Sequence, residues 1–266
     1  MDRKFYSLGL MSGTSMDGID ASIIYSNGVD ILEVIQNKYF KYDDNFINKL
    51  SDLKNKINTS SDLKLCLSDL NNLERELTIL HAKFAGDILK DFEKDIDLVG
   101  FHGQTIYHNP DEKISKQLGD GKLLSQLIKK KIVFNFRKND ILNGGEGAPL
   151  TPIFHQLVVS QKKKINLPVC VLNIGGISNY TIINEQIGSA EIYSKDIGPG
   201  NCLIDSWVRK NSKQKFDKDG KFALSGIKNE IIFEQAQELY MNRENKEKNS
   251  YDTNDFDISF VRGLKL

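Results

Sequence analysis

The chain has 266 residues, and its 36 basic and 36 acidic side chains cancel to a formal net charge of zero. That balance gives no electrostatic case for nucleic acid or an anionic membrane as partner, and no segment approaches the length of a membrane-spanning helix. The 39% hydrophobic and 27% charged content is that of a globular protein long enough for two domains, each with its own core.

The N-terminal apolar run is too short, and too broken by Ser7 and Gly9, for a secretory leader. Phe5–Met11, Asp20–Tyr25 and Asp30–Phe40 read as three consecutive strands, with Ser26-Asn27-Gly28 marking the turn between the last two. Asp43–Ile57 reads as a helix. A longer helix follows, capped by Ser61 or Asp62, in which Leu63, Leu67, Leu70, Leu77, Leu80, Phe84 and Ile88 recur every three or four residues. His81 sits among them as a packed histidine rather than a ligand. Asp97–Phe101 reads as a short buried strand, after which His102-Gly103-Gln104-Thr105 leaves the sheet.

Gly119–Lys130 reads as a helix, Ile132–Phe136 as a strand, Asn143–Pro149 as a flexible connector and Leu150–Ser160 as a helix. The triplets Lys129-Lys130-Lys131 and Lys162-Lys163-Lys164 mark solvated helix ends or loops. Beyond them Val169–Asn173, Tyr180–Ile183 and Ala190–Lys195 read as strands and Gly200–Asn211 as a helix, with exposed loops at 212–220 and 241–255. The second half restarts with the architecture of the first. This predicts two α/β domains, residues 1–155 and 156–266.

Cys66, Cys170 and Cys202 are odd in number and widely spaced. That is the pattern of free thiols in a reducing, cytoplasmic compartment rather than of disulfides or zinc. Cys202 follows a Gly-Pro-Gly-Asn turn at a helix start, where a thiol pKa can fall, but a small buried residue is the favoured reading. His102 and His108 have neither the spacing nor the partners of a zinc site, so no transition metal is expected.

The most informative stretch joins the first two strands through Gly13, Thr14, Ser15, Met16, Asp17 and Gly18. A hairpin tip of glycines and hydroxyls can wrap an anion. The amides of Gly13, Thr14 and Ser15 would form a concave nest, and Asp17 and Asp20 would offer oxygen ligands to Mg²⁺. An ordinary Gly-rich turn is the other reading. Asn173-Ile174-Gly175-Gly176-Ile177-Ser178-Asn179 is a second loop of the same kind. Gly175, Gly176 and Ser178 would then face the first loop across a cleft and clamp a polyphosphate, an arrangement suited to phosphoryl transfer. The chain carries neither a P-loop signature nor the protein-kinase set.

Gly9-Leu10-Met11-Ser12-Gly13-Thr14-Ser15-Met16-Asp17-Gly18-Ile19-Asp20 resembles the opening motif of the anhydro-N-acetylmuramic acid kinases, members of the actin and sugar-kinase superfamily. Similar matches follow in order at Gly100–Thr105, Asn135–Arg137, Gly144–Leu150, Leu172–Asn179, Asp196–Asn201 and Asp255–Asp257. The resemblance implies two related actin-like (ribonuclease H-like) α/β domains around a cleft. It also implies a kinase that opens the 1,6-anhydro bridge of its amino sugar with water and phosphorylates the released O6 from ATP with Mg²⁺. Residues Gly13 to Asp20, Met16 and Ile19 included, would bind ATP with Gly175, Gly176 and Ser178. Asp196 matches the catalytic base, where the residues alone would also allow a helix cap. His102, Gly103, Gln104, Thr105, Gly198 and Asn201 would surround the sugar. Arg137 would pair with its lactyl carboxylate or, alternatively, form an interdomain salt bridge.

Related kinases often pair, so a homodimer is a further expectation. Family members run longer than this chain, and Phe260–Leu266 looks like the approach to a further helix. The second domain is therefore expected to be incomplete, a C-terminal truncation lacking the element that grips adenosine. An impaired fragment or a non-enzymatic sugar- or phosphate-binding module is the alternative function.

Overall fold

Alternation of apolar and small residues builds the first sheet. On β1 (Phe5–Ser12) Leu8, Leu10 and Ser12 are buried while Gly9 and Met11 are exposed, and β2 (Gly18–Ser26) buries Ile19, Ala21 and Ile23 on the same face. The two pair antiparallel with Met11 opposite Asp20, and β3 (Leu32–Lys41) pairs antiparallel with β2 at the sheet edge. β4 (Leu98–Asn109) lies parallel to β1 on the other side. Its first half carries β6 (Ile132–Phe134) in parallel and its second half carries β5 (Ile114–Leu118) antiparallel. The computed structural model describes residues 3–13, 15–162, 164–184, 192–241, 251 and 253–256.

Parallel β1 and β4 need a crossover, which the chain makes through β2, β3 and three helices. In α1 (Asp44–Lys56) the Asp43 carboxylate caps the N-terminus by accepting from the Phe46 N–H at 2.8 Å. In α2 (Ser60–Leu65) the cap is Thr59 and not Ser61 or Asp62. Asp62 stands three residues on and closes a capping box back to Thr59. Cys66 breaks the expected single helix before α3 (Leu67–Leu89). Leu70, Leu73, Leu77, Ala85 and Ile88 of α3 join Phe46, Leu50 and Leu53 of α1 against the buried sheet face. Each wholly buried Leu or Ile there contributes roughly 1.5–3 kcal/mol.

The expected end of the fourth strand at Phe101 is wrong: β4 runs on to Asn109, so His102-Gly103-Gln104-Thr105 lies inside the sheet. The reason is Gly103. Its φ of +73° puts a register shift into the pairing with β1, and a Cβ there would collide with the Leu118 carbonyl of β5. The strand therefore bends without leaving the sheet. α4 (Gly121–Ile128), capped by Asp120, packs on α3, and α5 (Phe136–Leu142) and α6 (Pro152–Ser160) follow. At seven residues, α5 is too short to show a helical period.

The chain divides into two compact units, one running to Val169 with Ile183–Ile192, the other holding Cys170–Ile182 and residues from Tyr193 on. The second has a sheet in the order β7 (Val169–Ile174), β8 (Ile177–Ile183), β9 (Ile192–Pro199). β9 continues through Asp196 instead of ending before it; the expectation at Ala190 lies outside the described residues. α7 (Cys202–Asn211), α8 (Lys221–Ser225) and α9 (Glu230–Met241) complete the unit's described helices. Among the described residues no helix is long and apolar enough to cross a membrane.

Candidate functional site

The tip of the first hairpin is a tight turn. The Met16 N–H donates to the Gly13 carbonyl at 3.1 Å, with Met16 at a φ of 55° that few non-glycine residues adopt. The Met16 amide is thus used inside the loop rather than aimed at a ligand, and Ile19 is a wholly buried core residue. Thr14 lies outside the described residues. The Ser15 hydroxyl donates to Asp17 Oδ1 at 2.6 Å, and the Tyr39 phenol bonds to the same carboxylate. Desolvation, with the Asp17 charge and hydrogen bond, pushes that phenol up to about 12. Asp20 sits opposite Tyr39 on β3, and its carboxyl is raised from the ordinary range by desolvation first and the Asp17 charge second.

Below the loop three buried polar side chains meet. Ser12 Oγ lies 2.6 Å from the Tyr42 hydroxyl and 3.3 Å from His81 Nε2, while His81 Nδ1 lies 2.9 Å from the Leu77 carbonyl. That carbonyl only accepts, so Nδ1 carries the proton, Nε2 accepts from Ser12, and Tyr42 donates to Ser12. Burial lowers the His81 pKa to about 4. No motif marks Tyr39 or Tyr42; the signal for Tyr39 was its cross-strand register with Asp20.

From β4, Gln104 is fully buried and its Nε2 donates to the Gly13 carbonyl at 3.0 Å. Its Oε1 is buried without a hydrogen-bond partner among the described residues. Thr105 is half-buried and bonds Gln117 at 3.5 Å. Arg137 donates from Nε to His102 Nε2 at 3.1 Å and from Nη1 to the Gly147 carbonyl at 2.7 Å. These two bonds tie β4 and α5 to the 143–149 connector inside one unit. Burial first, then the Arg137 charge, lowers the His102 pKa to about 4. A cavity of ≈ 490 Å³ in the same unit, lined in part by Lys113, Lys116, Gln117, Lys122 and Lys138, is not lined by His102, Gln104, Thr105 or Arg137.

The second loop is held by its own backbone. The Gly200 N–H donates to the Gly176 carbonyl at 2.9 Å, the Asn201 N–H to the Gly175 carbonyl at 2.7 Å, and Asn201 Nδ2 to the Ile174 carbonyl at 3.2 Å. A Cβ at Gly200 would strike the Gly175 carbonyl oxygen and crowd the Ser178 hydroxyl. Asp196 is 6% exposed on β9, and its Oδ2 accepts from the Tyr251 N–H at 2.9 Å. It is not the cap of the following helix, since the N-cap of α7 is Asn201. Gly198 lies two residues beyond Asp196 in the same strand. Cys202 opens α7, and burial outweighs the nearby amides and pushes its thiol up, in line with the favoured reading of a small buried residue. Among the described residues no three His, Cys, Asp or Glu side chains gather as a metal site; Asp17 and Asp20 form a pair.

The family model described as Anhydro-N-acetylmuramic acid kinase matches residues 5–260. The chain belongs to this family. A relative from Pelagibacter ubique, named anhydro-N-acetylmuramic acid kinase, is 52% identical over 99% of this chain and 70% of its own length. Kinases of the same name from Agrobacterium fabrum and Rhizobium etli are 38% and 37% identical, over 83% and 85% of this chain and 59% and 61% of their own lengths. The expected C-terminal truncation draws no support from the family match. An ethanolamine utilization protein, EutJ, from Carboxydothermus hydrogenoformans aligns with a TM-score of 0.34 at 8% identity, over 93% of this chain and 74% of its own. At that score the likeness carries no weight.

Proposed function

We propose that the protein is an ATP-dependent anhydro-N-acetylmuramic acid kinase acting in cell-wall sugar recycling. Water adds at the anomeric carbon as the bond from that carbon to O6 breaks. Asp196 takes the proton from this water, and the released O6 attacks the γ-phosphorus with ADP leaving. The setting of Asp196 is what carries the reading. A carboxylate nearly enclosed on a strand, with Oδ2 accepting from the Tyr251 main-chain N–H, is held in a fixed orientation, as a general base must be. The names of the relatives favour an enzyme over a non-enzymatic binding module.

The first loop, with Gly13, Ser15 and Gly18, and the second, with Gly175, Gly176 and Ser178, are the phosphate-binding elements. The Asp20 pKa is raised by desolvation first and by the Asp17 charge second, and a pair of carboxylates in this setting is suited to a hard divalent cation. When bound with ATP, Mg²⁺ offsets phosphate charge. His102, Gly103, Thr105, Arg137, Gly198 and Asn201 form the sugar side, with Gln104 acting through Gly13. The protein works in the cytoplasm on a small amino sugar as a homodimer, without nucleic acid.

Asp196→Asn tests the base. Turnover should fall by about 10²–10⁴ with ATP binding by calorimetry unchanged. Wild-type turnover in this variant removes Asp196 from the mechanism.

A further inference from the structure

Tyr42 is 2% exposed, and its ring meets Phe46 edge-on at 4.8 Å. A phenylalanine would fill the same space without burying a hydroxyl, a group that costs free energy in a dry core unless it is hydrogen-bonded. Among the described residues the hydroxyl bonds to Ser12, the residue that ends β1 and enters the loop. Ser12 is 2% exposed and His81 0%, so three enclosed polar side chains converge on this stem. The other stem is held by the same residue. The Tyr42 main-chain N–H donates to the Asp17 carbonyl at 2.9 Å, directly before β2 begins.

We propose that Tyr42 is the positioning residue of the phosphate hairpin, gripping both stems of the 13–17 loop at once so that the loop is shaped before nucleotide arrives. The inference rests on the reading of this loop as a phosphate site. One residue joins the stems from beneath: its hydroxyl holds the end of β1 through Ser12, and its amide holds the start of β2 through Asp17. His81 directs the first of these bonds, since its Nε2 accepts a hydrogen bond from the Ser12 hydroxyl and leaves the Ser12 oxygen to accept from Tyr42. Gln104 adds a third hold at the Gly13 carbonyl. A pre-shaped loop spends less of its binding free energy on ordering when the ligand enters.

The test uses Tyr42→Phe in the full chain, a change that keeps the ring and the main-chain N–H. Amide hydrogen exchange in the ligand-free protein should quicken about tenfold at Met16, with the α1 amides of Leu50 and Leu53 unchanged. With ATP and the amino sugar, the KM for ATP should rise roughly three- to tenfold, and the KM for the sugar should stay within about twofold. Ser12→Ala removes the Tyr42 bond and the His81 bond, so its ATP effect should be at least as large, and adding Tyr42→Phe to it should raise the KM for ATP no further. Unchanged exchange at Met16 overturns the grip. Faster exchange with an unaltered KM for ATP overturns its role in phosphate binding. A uniform fall in kcat with both KM values unchanged marks a merely structural tyrosine and also overturns it. If the wild-type chain neither binds nor consumes ATP, the kinase reading fails, and the exchange measurement still decides the grip.

Discussion

The two glycine-rich loops look alike in sequence but are held by different means. The first adds side chains to its main-chain bonds from Met16 to Gly13 and from Tyr42 to Asp17: the Tyr42 hydroxyl and His81 on Ser12, Gln104 on Gly13, Ser15 and Tyr39 on Asp17. The second stands on main chain, its Gly175 and Gly176 carbonyls taken by the amides of Asn201 and Gly200 at the entrance to α7. A side-chain support can titrate and can be weakened one bond at a time. A main-chain support depends on close approach and fails when a Cβ intrudes.

Gly200→Ala is the largest break available to this comparison. Its Cβ meets a carbonyl oxygen of the backbone, which has no flexible end to move aside, so a destabilisation of about 4 kcal/mol is expected. The single tryptophan, Trp207, lies on α7 in the same unit, and its fluorescence during chemical denaturation reads the loss. A variant with the wild-type midpoint shows that the second loop is not held by this contact.

Acid should separate the two units next. All four histidines, His81, His102, His108 and His155, fall in the first unit. The folded pKa of His81 is about 4, depressed from 6.5 chiefly by burial, so the folded state keeps the ring neutral. The unfolded chain therefore binds the proton first. The stability is fully present above pH 6.5 and is lost as pH falls towards 4, by about 3 kcal/mol for His81 alone. His102, also lowered to about 4, acts in the same direction. Denaturation followed by circular dichroism should weaken over this window more than the Trp207 signal. Equal weakening of both signals would remove the histidines as its source.

The smallest effect sharpens the picture of the first loop. Gln104→Leu removes the donor to Gly13, a carbonyl that keeps its bond from Met16. A loss of about 1 kcal/mol is expected from the denaturation midpoint. A loss several times larger would mean that Gln104, and not Tyr42, is the chief support.

Much of this was legible because it is local. Alternation along Leu8 to Ile23 reveals the hairpin, the three- and four-residue spacing of Leu70, Leu77 and Ile88 reveals α3, and the ordered motifs from Gly9 to Asn201 point to the kinase family. Periods and motifs are carried by neighbours in the chain, so sequence alone revealed most strands and the longer helices and pointed to the two glycine loops and the candidate base Asp196, while the short β5 and α5 left no pattern to read. The tertiary structure alone decided where the polar groups aim. Gly103 keeps His102–Thr105 inside β4 because of a carbonyl on β5, Arg137 holds His102 and Gly147, and burial decides the direction of the shift at Cys202. Tyr42 and His81 stand 30 and 69 residues from Ser12. A hydrogen bond over such a span depends on how the sheet and α3 pack, and no local pattern records it.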